Sequence, residues 1–310
     1  MPIVHELQEA KRAQESDSWA TVSLAEVGAT VCVLDTQMAS GTYPCSETAG
    51  AFLLRTVKEL DAVKFALGAF VFNALRRRYH NSVLGFAWSL LNPLLTMSVM
   101  ALMFSLIFHR NPQQFAVYLF AGMLPWTFIL ESVMSGSTAL TSFESFLKKI
   151  YLPKAFFPLV VVCIAAANFG FSLVSLGLLG LAVGMPVSSS LLLVPVATII
   201  LFIFNCGLAL LFAIATLYLR DLTHIASVTL GALFYTMPVV YPIEQIPAQY
   251  SWIYLSDPFY HFLLLFKTII YESRQPSLRQ WAIASSIAGI TMVASLALLK
   301  WKEKDIIYRL

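Results

Sequence analysis

The stretch AFFPLVVVCIAAANFGFSLVSLGLLGLAVGMPVSSSLLLVPVATIILFIFNCGLALLFAIATLYL, residues 155–219, decides the fold. It runs for 65 residues without one Asp, Glu, Lys or Arg, between Lys154 and Arg220. A helix crosses the hydrocarbon core of a bilayer in about 20 residues, so there is length for two crossings. Near its middle, Gly184-Met185-Pro186-Val187-Ser188-Ser189-Ser190 supplies turn-forming residues. The stretch therefore reads as a helical hairpin in lipid, with spans near 156–183 and 191–218 and a short turn on one side. The chain belongs to the polytopic membrane class.

Composition agrees. Hydrophobic residues make up 58% of the chain and charged residues 12%, where soluble domains carry about 25% charged residues. A net charge of +3 is too small to argue for a nucleic-acid partner. Of the four cysteines, Cys163 and Cys206 lie in apolar segments as small apolar side chains, and the spacing of Cys32 and Cys45 demands no pairing. No Cys-x-x-Cys or His/Cys cluster suggests a metal.

Outward from the hairpin, four more apolar segments are expected to cross. Asn81 to Phe108 is uncharged, carries Asn92 and Pro93, and is the first span. The second starts near Phe115, runs towards Phe146, and contains Pro125 and the acidic Glu131. The fifth covers about 223–243, and Trp281 to Leu299 is the sixth. Residues 244–274, with several prolines, read as irregular; the apolar run Phe259 to Phe266 suits a re-entrant or interfacial element near the external mouth. Over 52–79, apolar positions recur at threes and fours against Arg55, Lys58, Glu59, Asp61 and Lys64, which reads as one amphipathic helix lying along the interface. Residues 1–50 are expected to be a weakly ordered cytoplasmic extension, with no basic segment followed by an apolar one to mark a cleavable signal peptide. With six spans, Arg76–Arg78, Lys148, Lys149, Lys154, Arg220 and the Lys-rich tail share one side, so both termini are expected in the cytoplasm.

Catalytic chemistry is scarce. There is no Gly-x-x-x-x-Gly-Lys-Ser/Thr phosphate loop, no Gly-x-Ser-x-Gly and no His-Glu-x-x-His, and the five histidines are scattered. Two features stand out. Glu131 is either a functional or paired acid within the membrane, or an acid held near water by a tilted span. Aromatic residues cluster on the first and fifth spans: Phe86, Trp88, Phe104 and Phe108, then Phe234, Tyr235 and Tyr241. Half of such rings suit an interfacial belt; the sharper reading is a pore lining on which sugar faces slide through weak, non-directional contacts.

Three stretches together resemble one family. RRYHNSVLGFAWSLLNPLL (77–95) is similar to the entry into the first span of ABC-2 type permeases that export polysaccharides. LKKIYLPK (147–154) resembles their cytoplasmic loop between spans two and three, and LYLRDL (217–222) the turn after span four. Pro238-Val239-Val240-Tyr241-Pro242 and Asp257-Pro258-Phe259 extend the likeness, with Asp257 in place of an expected Asn and able to cap a helix equally well. The likeness covers roughly residues 60–310, leaving 1–50 unmatched.

The resemblance implies an all-α integral membrane fold. A 51–80 interface helix precedes an 81–310 transmembrane domain of six helices, with re-entrant helices between spans five and six. It implies a homodimeric subunit in the bacterial inner membrane that is not itself an enzyme. Two separate ATP-binding cassette subunits would hold ATP and Mg, this chain having no cofactor. The cargo would be an O-antigen-like polysaccharide on a polyprenyl diphosphate. It further implies that Lys148, Lys149, Tyr151, Pro153 and Lys154 form a coupling loop to the ATPases. Arg76, Arg77 and Arg78 would meet the lipid diphosphate, guanidinium groups binding phosphate bidentately. The runner-up functions are a drug or small lipo-oligosaccharide exporter of the same superfamily, and a glycolipid acyltransferase, for which no catalytic His or acid cluster is found.

Overall fold

The charge-free stretch folds as a hairpin in the computed structural model, which describes residues 49–79, 87–109, 111–144, 147, 152–184, 188–241 and 247–309. The extension 1–48 lies outside these. In chain order the helices are α1 (Ala49–Ala62), α2 (Lys64–Tyr79), α3 (Trp88–Ile107), α4 (Pro112–Ser142), α5 (Phe156–Val183), α6 (Val194–Tyr218), α7 (Leu222–Thr236), α8 (Ser251–Leu255), α9 (Pro258–Ile270) and α10 (Leu278–Arg309). A 3-10 turn, Ser189–Leu193, leads into α6. No strand occurs among the described residues.

Local chemistry sets the boundaries. The Asn111 side chain accepts from the Gln113 amide at the start of α4, and Pro112 takes the first helical position, where its missing N–H is harmless. Asp257 and Pro258 repeat the device at α9. Gly184 closes α5 at φ 73°, a conformation glycine adopts without strain.

Five helical segments are long and apolar enough to cross a membrane: Trp88–Ile107, Pro112–Ser142, Phe156–Leu181, Ser189–Tyr218 and Leu278–Glu303. Three expectations need correction. The amphipathic helix over 52–79 is two helices broken at Val63, which turns inward with Ala66 to pack against Leu152, Phe156, Phe157 and Val160. The fifth apolar segment ends at Thr236 rather than 243. Met237 precedes Pro238, a position that disfavours helix, and it is extended (φ −88°, ψ 146°). The segment 244–274 is not irregular throughout. Pro258 starts a helix rather than breaking one, and α9 buries Tyr260, Phe262, Leu263 and every residue from Leu265 to Ile270.

α4 is the central helix, packed against α3, α5, α6, α7 and α9, and α6 packs in turn on α10. The closest seams are made by glycine: a Cβ on Gly136 would stand 2.7 Å from the Cα of Ala209, and one on Gly207 would stand 2.9 Å from the backbone of Thr291 and Met292. At one end of the bundle Arg55 of α1 pairs with Glu303 of α10 at 3.2 Å, and the Tyr218 hydroxyl reaches Asp305 at 3.4 Å. At the other, Ser188 and Ser190 donate to the carbonyls of Ser273 and Ile269 at 3.2 and 3.0 Å, tying the α5–α6 turn to the end of α9.

Candidate functional site

A polar cavity of about 250 Å³ lies among α3, α4 and α5. Glu131 of α4 and Asn168 of α5 meet in its wall, the Asn168 amide donating to the carboxylate at 2.6 Å. Asn92, Thr127 and Ser172 add polar side chains, and Trp88, 42% exposed, stands at its edge. Pro93 also lines it and brings no N–H to its turn of α3. An ionisable residue inside a membrane costs about 2.5–3.5 kcal/mol on insertion scales, so a paired acid facing a cavity is the arrangement expected of a functional group. Glu131 is placed between helices with an amide partner, not at a helix end.

The other candidate residues fall in two places. Phe104 and Phe108 stack at 6.1 Å, and the ladder continues through Phe115 and Tyr118 to Tyr271 at successive centroid distances of 5.8, 5.8 and 5.1 Å. Tyr235 on α7 is 77% exposed. The Tyr241 hydroxyl donates to the carbonyls of Tyr235 and Thr236 at 3.2 and 2.9 Å, capping the end of α7. Within one chain α3 and α7 both pack on α4 but otherwise on different neighbours, α3 on α5 and α7 on α6. The exposed faces of α3 (Leu95, Val99, Leu102, Leu106) and α7 (Ile225, Val228, Tyr235) are apolar. Phe86 lies outside the described residues.

Beside the ladder is a cation that the sequence reading passed over. Lys267 of α9 is buried. Its ammonium donates to the carbonyls of Pro238 and, at 3.2 Å, Val239, and lies 3.8 Å from the centre of the Tyr118 ring. Gly122 makes the space, since a Cβ there would stand 2.7 Å from the Lys267 Cε. The Tyr118 hydroxyl donates to the Tyr241 carbonyl at 2.7 Å. Together these groups fix the break after α7 onto α4 and α9. The one signal in the sequence was a lone Lys inside an apolar run, Phe259 to Ile270.

At the opposite end the loop before α5 is locked to both terminal helices. Leu152 and Pro153 are buried, and the Lys154 ammonium donates to the Glu303 carbonyl. Burial pulls the Lys154 pKa below its usual 10.5, Glu303 opposing and Arg55 reinforcing the shift. Phe70 of α2 meets Phe156 edge-on at 5.6 Å, and Phe143 stacks on Phe157 at 4.8 Å. Lys148, Lys149 and Tyr151 lie outside the described residues. Arg76 and Arg77 are exposed at the end of α2, whose outer face also presents Phe65 and Phe72. The Arg78 side chain lies outside the description.

Residues 66–271 match the family model described as ABC-2 type transporter. The chain belongs to the ABC-2 type transporter family. The matched span runs from α2, through the cavity, to the end of α9. Among similar proteins is an O-antigen export system permease protein RfbA of Myxococcus xanthus, 29% identical over 255 residues that cover 82% of this chain and 98% of that one. A protein of the same name from Klebsiella pneumoniae is 27% identical over 63% of this chain and 76% of its own. The polysialic acid transport protein KpsM of Escherichia coli is 25% identical over 79% and 96%. These alignments extend the likeness from the three sequence stretches to most of the chain.

Proposed function

We propose that this chain is the transmembrane subunit of an ATP-driven exporter that moves a lipid-linked, O-antigen-like polysaccharide from the cytoplasm across the bacterial inner membrane. The observation that carries the proposal is the alignment with a permease named for O-antigen export along nearly that protein's whole length. ATP and Mg belong to two separate ATP-binding cassette subunits, in keeping with the missing phosphate loop. They dock at the end where α1, α2, residues 152–155 and the end of α10 come together.

The reading has six crossings, and parity supports it. Arg55 and Glu303 meet, which favours entry into α3 and exit from α10 on the same side. Five long crossings alone would leave these ends apart. α7, 15 residues and roughly 22 Å long, supplies the remaining one with the turn at Met237–Val240. The N-terminal end of α9 packs by Phe259 on Trp126 and Phe204, well inside α4 and α6, while its C-terminal end meets the α5–α6 turn. That is the course of a re-entrant element dipping from the external side.

A second copy of the chain completes the conduit. The exposed faces of α3 and α7 are the surfaces available for it, with Trp88 and Tyr235 as the accessible rings and Arg76–Arg78 at the lipid diphosphate entry. A cell lacking this chain should retain its labelled lipid-linked glycan in the cytoplasmic leaflet, and restoring the chain should release it. Unchanged export in the deleted cell would overturn the proposal.

A further inference from the structure

Of the Glu131 cavity, the aromatic conduit uses only Trp88 at its edge. The cavity's depth follows from helix lengths. α3 and α4 are joined by a short connection, residues 108–111. Trp88 and Glu131 stand 20 and 19 residues from that connection along α3 and α4, so both lie about 30 Å from it at 1.5 Å per residue. Glu131 is 11 residues, about 16 Å, from the other end of α4 at Ser142. The cavity therefore sits in the half of the bundle nearer the locked 152–155 loop, the half a cytoplasmic cargo meets first.

Its chemistry is specific. One wall offers a carboxylate and an amide in contact at 2.6 Å. Thr127 and Ser172 carry hydroxyls, although in the resting structure these donate to the carbonyls of Leu124 and Asn168. An indole with 42% of its surface exposed stands at the edge. A carboxylate accepts two or more hydrogen bonds, an amide both donates and accepts, and an indole face packs against C–H groups. A ligand that presents hydroxyls on its rim and an apolar face satisfies all three, and that ligand is a pyranose ring. The volume of about 250 Å³ has room for one ring.

We propose that this cavity is a subsite for a single sugar ring of the cargo, with Trp88 against the ring face and Glu131 and Asn168 hydrogen-bonded to its hydroxyls. The proposal rests on the exporter reading above. Exchange of the Asn168 amide between Glu131 and a sugar hydroxyl lets the site release as easily as it binds, as repeated sliding requires.

The test uses the complete transporter with its ATPase subunits in nanodiscs. The probes are a polyprenyl diphosphate bearing one hexose and the same lipid without sugar. In the native protein the sugar should tighten binding about tenfold, the effect of one good stacking or charge-assisted contact. Glu131→Gln, Asn168→Ala and Trp88→Leu should each abolish that increment, and Glu131→Gln and Asn168→Ala should leave binding of the bare lipid unaltered. Trp88→Phe should keep most of it, which separates loss of the ring face from loss of folding. An increment that survives in all three variants overturns the subsite while leaving the exporter reading intact. An equal increment from a phosphatidylethanolamine headgroup, competing with the sugar, assigns the cavity to an amine and also overturns it. Failure of the native protein to bind either lipid removes the exporter reading itself.

Discussion

Gly136→Ala tests the packing of the bundle most directly. The new Cβ would stand 2.7 Å from both the Cα and the Cβ of Ala209, and 3.2 Å from its carbonyl oxygen. Ordinary contact begins at 3.4 Å, so the α4–α6 seam must open by about 0.7 Å. None of the obstructing atoms sits on a rotatable side-chain end. α6 cannot simply retreat, because its other side is pressed at Gly207 onto the backbone of Thr291 and Met292 in α10. Overpacking of this kind costs about 1–3 kcal/mol, against up to about 1 kcal/mol gained when alanine replaces a helical glycine. The expected net is a loss of about 1–2 kcal/mol. Gly170→Ala is the control, since no atom lies within 4 Å of its added Cβ and only the propensity gain remains. Thermal unfolding of the purified variants in one detergent gives the comparison. A Gly136→Ala protein as stable as the Gly170→Ala control would refute the close seam between α4 and α6.

Three further outcomes follow from the same contacts. Lys267→Met deprives the Pro238 and Val239 carbonyls of their charged donor, and after allowing for the relief of a buried charge should cost about 2–4 kcal/mol in unfolding free energy; an unaltered unfolding curve would show that the clamp is idle. Lys154 has a folded pKa below 10.5, so between that lowered value and 10.5 the folded state holds fewer protons than the unfolded one, and stability should rise with pH across the window; the slope should vanish in Lys154→Met, and an identical slope in both proteins would assign it elsewhere. Phe70→Ala removes the ring that meets Phe143, Phe156 and Phe157 and should weaken the hold on α2 by about 2–3 kcal/mol. Hydrogen exchange should quicken over 64–79 and not in α4, α6 or α10, and uniform quickening would contradict a local latch.

The hairpin was legible because lipid removes the usual ambiguity. A run with no charge, interrupted once by Gly184 and Pro186, can fold in few ways, and α5 and α6 start and stop within a few residues of expectation. The Asp257 cap was readable for a similar reason: its partner, the Phe259 amide, lies two residues on. Errors arose where distant groups decide. Residues 223–243 contain no Asp, Glu, Lys or Arg, so composition carried the fifth span past Met237, although the Pro238 that stops it was in view. Glu131 announced itself as a solitary acid, but Asn168 lies 37 residues away on another helix. Lys267 is held by backbone carbonyls and a ring, and no pattern of side chains records a carbonyl. Tyr241 reads as one more ring for a pore until its hydroxyl is found on the end of α7.

The two polar features can be connected mechanically through one hairpin. α4 carries Glu131, α5 carries Asn168, and the segment between those helices is the 143–155 loop. Both described ends of that segment are held in place. Phe143 and Phe157 stack across it, Phe70 braces it from α2, and Lys154 fastens it to Glu303 on α10. A force applied there, as by the proposed ATPase subunits, therefore reaches α4 and α5 as a pair and α1, α2 and α10 with them. Against α6 the response of α4 is constrained, because the Gly136–Ala209 seam leaves no slack. α5 is freer: it is about one-third buried along its apolar window, whereas α4 is nearly three-quarters buried. The same push should accordingly shift α5 more than α4, and the contact it strains first is the 2.6 Å bond between Asn168 and Glu131. On the proposed reading, a movement of the loop and the opening of a polar cavity about 16 Å inside the bundle are then one motion.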